Sequence, residues 1–153
     1  MSGFVASGSV TSGHVNTDTF WPSIDLDQLR ATLRIDASVT APRLETAAIA
    51  AAISVNRELS AWSEAQQAAG HAELVNVPSE RINDVPVLVH LYRRAIEAAT
   101  GAEVCERYRS YDTTNSGKQH ADELSSSIDE YRRDQRWAIR DFLGNSRTTV
   151  ELI

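Results

Sequence analysis

The stretch that most constrains this chain is its C-terminal end, residues 129–153, which read DEYRRDQRWAIRDFLGNSRTTVELI. At roughly 100° per residue, Leu124, Ile128, Tyr131, Ala138, Ile139 and Phe142 fall on one side of a helix, and that side is predicted to be a core face. Arg132, Arg136 and Arg140 line one flank, with Arg133 beside them. Glu123, Glu130, Asp134 and Asp141 line the other, and Trp137 falls between the two, away from the core. Two oppositely charged flanks suit head-to-tail packing of identical subunits, and such a contact closes into a ring where the rotation per subunit allows it. The plainer reading is a solvated helix with ion pairs three and four residues apart, such as Asp129 with Arg132 and Arg133.

The rest of the chain supplies partners for that helix. Residues 1–19 are rich in Gly, Ser and Thr and read as a flexible arm, since they hold too little apolar surface to fold alone. Phe20, Trp21 and Pro22 follow as an anchor. Asp25 then caps a first helix over 26–34, with Gln28 completing a capping-box-like pattern and Leu26, Leu29 and Leu33 on one face. A second helix is predicted from Thr40 and Ala41, with Pro42 in its first turn, to about Ala69, where Gly70 ends it. Its stripe of Leu44, Ala48, Ala51, Val55, Leu59 and Trp62 is widened by Ile49 and Ile53, and its many alanines let another helix approach closely.

After a connection over 71–83, with one turn of helix expected beyond Pro78, Asp84 is read as the cap of a third helix with Pro86 in its first turn. Leu88, Leu91, Tyr92, Ala95, Ala99 and Ala102 form its apolar stripe, extended by Cys105. Gly101 inside it costs about 1 kcal/mol relative to alanine, which another backbone packed there would explain. The run YDTTN at 111–115 ends this helix, and Ser116 with Gln119 caps the fourth. Few glycines and prolines, abundant alanine and short connections indicate an all-α bundle of about four helices: an arm at 1–19, the bundle at 20–144 and an extended tail at 145–153.

Chemistry is hard to find in this pattern. His14, His71, His90 and His120 are scattered without metal-ligand spacing, and neighbouring His120, Asp122 and Glu123 do not converge on one point of a helix. Cys105, the only cysteine, has Glu103 and Glu106 nearby, which raise a thiol pKa and favour a core thiol over a nucleophile. No phosphate loop or nucleophile elbow is present, so no enzyme, metal or cofactor is expected. A net charge of −6 opposes wholesale nucleic-acid binding but leaves room for a local basic stripe. The N-terminus lacks the charged and apolar regions of a signal peptide, and no run is long enough to span a bilayer, so a soluble protein with no membrane partner is expected. Arg147, Thr148, Thr149, Val150, Glu151, Leu152 and Ile153 form a β-prone tail suited to strand addition on a partner, or to packing back and fraying.

Four stretches, FWPSIDLDQLRATLRID at 20–36, SVNRELSAW at 54–62, RYRSYDTT at 107–114 and YRRDQRWAIRDFLGNSRTTVELI at 131–153, resemble the head completion proteins of contractile-tailed temperate phages, the GPL family. The resemblance implies a structural role late in capsid assembly, in the virion and, before that, in the host cytoplasm. Such proteins bind the portal of the filled head, help retain the packaged DNA and ready the head for its tail. They are similar in role to adaptors that form a twelve-fold ring beneath the portal. The partners it implies are the portal protein, a downstream neck or tail-completion protein, and further copies of this chain. On that basis residues 147–153 are the expected portal contact. Glu123, Glu130, Arg132, Asp134, Arg136, Trp137 and Arg140 are the expected subunit interface. The same arginines could line a DNA channel, and the rival reading is a helical nucleic-acid-binding module that uses them.

Overall fold

Phe20 and Trp21 end up where an anchor should be, at the bottom of an aromatic cluster that ties four parts of the chain together. The Trp21 ring stacks on Tyr92 with centroids 4.6 Å apart and planes within 9°. Phe20 meets Trp21 edge-on at 4.9 Å, and Trp62 meets Phe142 edge-on at 4.6 Å. Such ring pairs add about 0.5–1.5 kcal/mol each beyond the area they bury. The computed structural model describes residues 13–107 and 115–145, with the backbone alone described over 115–126.

Around this cluster the described residues form a five-helix, all-α bundle with two small β pairings. The elements in order are β1 (His14–Val15), β2 (Ile24–Asp25), α1 (Leu26–Thr32), α2 (Ala41–Glu58), α3 (Ser60–Ala68), a 3-10 turn (Leu74–Asn76), β3 (Arg81–Ile82), β4 (Val85–Pro86), α4 (Val87–Arg107) and α5 (Asn115–Phe142). α4 is the central helix, packed against α2 on one side and α5 on the other. Ala47, Ala48, Ala51 and Ala52 on α2 and Ala95, Ala98, Ala99 and Ala102 on α4 are buried, and their small size permits close helix approach.

Several boundaries differ from the sequence reading. The arm was expected to run to residue 19, but His14 and Val15 pair antiparallel with Asp25 and Ile24, and Val15 is buried. The Leu26 amide donates to the Gly13 carbonyl at 2.9 Å, so the chain is tied to the bundle from residue 13 onward. α1 stops at Thr32, two residues early, because Arg34 takes a left-handed φ of 54°. Its cap is as expected: one Asp25 carboxylate oxygen accepts from the Asp27 and Gln28 amides at 2.9 and 3.0 Å. The long second helix is broken into α2 and α3 at Leu59. There the Ser60 hydroxyl donates to the Arg57 carbonyl and the Ser63 hydroxyl to the Ser60 carbonyl, the kind of local bonding that bends helices.

Asp84 is not a helix cap, and Pro86 does not lie in a first helical turn. Asn83 and Asp84 have φ of 51° and 59°, the positive pair that a type I′ turn requires, and they join β3 to β4 in a two-residue hairpin. Helical structure in the preceding connection comes before Pro78, at 74–76. Gly70 and Gly144 do act as C′ residues, with φ of 97° and 72°. The following amides, His71 and Asn145, donate back to the Gln66 and Arg140 carbonyls and complete the capping pattern. Residues 111–114 lie outside the described residues, as do the side chains of Ser116 and Gln119.

Candidate functional site

The last helix is the candidate site, and its three faces are set by what α4 and α2 offer it. On the inner face Gln135, Ala138, Ile139 and Phe142 are buried, joined by half-buried Ile128 and Tyr131; Leu124 lies where only the backbone is described. Gly101 is explained here. A Cβ at that position would lie 2.7–2.9 Å from three atoms of the Tyr131 ring, so a side-chain ring, not the backbone predicted from sequence, fills the space above the glycine. Burial pushes the Tyr131 hydroxyl above its ordinary pKa, and the neighbouring Cys105 adds to the shift. Burial, with Glu106 second, likewise raises the Cys105 thiol and keeps it protonated.

The basic flank divides in two. Arg132 turns inward and holds α4: its Nε and one terminal nitrogen donate to the two Glu106 carboxylate oxygens at 3.0 and 2.8 Å. The same terminal nitrogen reaches Glu103 at 3.3 Å, and the other donates to Gln135 Oε1 at 3.0 Å. Gln135 Nε2 donates in turn to Ser54 Oγ at 3.4 Å, carrying the network to α2. The hydrogen bond with Glu106 is the main force raising the Arg132 pKa further, against partial desolvation. Arg107 Nε closes the group on Glu103 at 3.0 Å.

Arg136 and Arg140, by contrast, are exposed, and neither makes an ion pair among the described residues. Arg133 lies over the half-buried Trp137 ring, its guanidinium carbon 4.8 Å from the centroid, and also reaches Asp134 at 3.4 Å. A cation over an indole face is worth about 0.5–1 kcal/mol at such an exposed site and holds the ring in place. On the acidic flank Glu130 is exposed, whereas Asp141 pairs with Arg94 of α4 at 3.8 Å. The Glu123 side chain and all of residues 147–153 lie outside the described residues. Sequence periodicity thus brings Glu130, Asp134, Arg136, Trp137 and Arg140 onto one outward surface, but it does not reveal that Arg132 belongs to an internal network. The clue was the acidic pair Glu103 and Glu106, read only for its effect on Cys105.

This surface presents charge in two signs around an aromatic. Among the described residues no group of three or more His, Cys, Asp or Glu side chains could hold a metal ion. The sequence pattern of the phage head completion protein (GPL) family matches residues 15–153, the inner arm, the bundle and the tail together. The chain belongs to the GPL family. This head completion chain is 36% identical to the head completion/stabilization protein of Escherichia phage P2 over 134 residues, which cover 88% of this chain and 79% of that protein. No solved structure matches it. It is therefore a phage structural protein with a role in capsid assembly, and not an enzyme. No described helix of this GPL protein is long and apolar enough to cross a membrane.

Proposed function

We propose that this head completion protein is a head–tail connector adaptor that joins the portal vertex after DNA packaging, helps retain the genome and lets a tail attach. About twelve copies would pack head to tail in a closed ring. Arg136 and Arg140 of one copy meet Glu130 and Asp134 of the next, with Glu123 extending the acidic flank and Trp137 at the seam. Residues 147–153 reach the portal as an extended segment, and a downstream neck or tail-completion protein takes the opposite side.

One observation carries the reading: Arg136 and Arg140, exposed on α5, have no acidic partner among the described residues of their own chain, while their neighbour Arg132 is fully engaged. Exposed pairs contribute only about 0–1 kcal/mol each, so a single seam is weak and assembly awaits a template. Sedimentation of the protein alone and with isolated portal tests this. The expected result is a small species alone that joins the portal in about twelve copies. Arg136→Glu and Glu130→Arg are each expected to weaken that loading, and the double variant to restore it. Removal of residues 147–153 is expected to abolish portal binding with the helical signal unchanged. The same exposed arginines favour a second reading, a nucleic-acid contact. In that case charge reversal is not rescued, and duplex DNA binding falls steeply with salt.

A further inference from the structure

Among the described residues, an exposed apolar groove lies between β1 and α2. Ile49 and Ile53, one turn apart on α2, are 43% and 54% exposed and form one wall. His14 and Val15 of β1 form the other, and Ala52 lies in the floor. The groove encloses about 580 Å³, within the ~300–1,000 Å³ of sites that hold a bound group. The α2 stripe predicted from sequence was wide enough to include both isoleucines, yet the described residues leave them uncovered.

The chain itself supplies a fitting occupant. Twelve residues, MSGFVASGSVTS, precede Gly13 and lie outside the described residues. They hold no Asp, Glu, Lys or Arg, and their apolar side chains include the adjacent pair Phe4 and Val5. They join the bundle at the groove's own edge, because the Gly13 carbonyl is fixed by the Leu26 amide and the next two residues line the groove. Twelve residues reach up to ~40 Å when extended. The α2 wall from Glu45 to Asn56 is about 16 Å long at 1.5 Å per residue. The segment can therefore reverse at its Gly and Ser residues and still run the length of the groove. A short tether also gives it a millimolar effective concentration there, ahead of any separate chain at micromolar levels.

We propose that residues 1–12 cover this groove in the same molecule, with Phe4 and Val5 seated on Ile49 and Ile53. The inference does not depend on the ring or on the portal. It is tested by methyl NMR of the unassembled protein, with isoleucine δ1 methyls labelled. The full chain is expected to give cross-relaxation between the Phe4 ring and the Ile49 and Ile53 methyls. Removal of residues 2–12, or the milder pair Phe4→Ser and Val5→Ser, is expected to shift both methyl signals and leave Ile24, Ile96 and Ile139 in place. Unchanged signals in both variants overturn the proposal. In a mixture of labelled and unlabelled chains, cross-relaxation that passes only between molecules also overturns it, because the occupant is then a second copy.

Discussion

The two halves of α4 are secured by opposite means. Toward its start, Tyr92 lies buried under the Trp21 ring, its hydroxyl donating to Asn56 Oδ1 at 2.9 Å, and the surroundings are aromatic. Toward its end, Gly101 admits the Tyr131 ring, and Glu103 and Glu106 hold Arg132. The first half gains its stability from large buried side chains, whose contribution is only loosely directional. The second buries small residues, Ala98, Ala99 and Ala102, and adds a bidentate guanidinium–carboxylate pair that fixes the register of α5 along α4, because such a pair admits few geometries. The helix that carries the exposed charges is thus set in angle by one end of α4 and held in place by the other.

Five substitutions separate these contributions. Trp21→Ala, at the aromatic end, should cost about 3–5 kcal/mol in urea unfolding, since it empties a space lined by Phe20, Tyr92 and Phe142. Gly101→Ala should cost about 1–3 kcal/mol through overpacking, although alanine is the better helix former. Combined with Tyr131→Ala, the same change should lose most of that cost, and a double-mutant cycle reads the coupling. Arg132→Gln should lower stability by about 1 kcal/mol at low salt and by less at 1 M, whereas Arg136→Gln should stay within ±0.5 kcal/mol in the unassembled protein. Equal losses for the two arginines would remove the distinction between inner and outer members of the stripe.

The smallest effect falls on the boundary between the halves. Burial, opposed by Arg93, raises the Glu97 carboxyl above its ordinary 4.5. The folded state then holds this proton more tightly than the unfolded one, so its contribution to stability falls as pH rises above about 4.5. Glu97→Gln should flatten that part of the stability–pH curve and slightly favour the folded protein at neutral pH. A slope unchanged by the substitution would assign the effect to another group.

Much of the bundle could be read from spacing alone. The core face of α5, the Asp25 cap and the terminating glycines at 70 and 144 all follow from local rules that need no tertiary partner. Gln135 shares that face with Tyr131 and Ala138 but was not read as core, because a polar residue is not assigned there until its bonds to Arg132 and Ser54 are seen. What escaped the sequence was what depends on a second element. Val15 was read as part of an arm because its strand has two residues and gains its place only by pairing with Ile24. Asp84 was read as a helix cap, and only the pairing of β3 with β4 shows that Asn83 and Asp84 form a hairpin turn. For the candidate site, periodicity supplied the flanks, while the depth of each arginine depended on acids across the gap on α4.

The aromatic cluster has a consequence for how the molecule is made. Trp21 leaves the ribosome early, but Phe142, which lies 6.1 Å from its ring, is among the last described residues to be synthesised. Until then a nascent chain carries Trp21 and Trp62 without one of their ring partners. Closure of the cluster therefore waits for the end of α5, and a truncated product lacking it leaves sticky indole surface for chaperones and proteases to find.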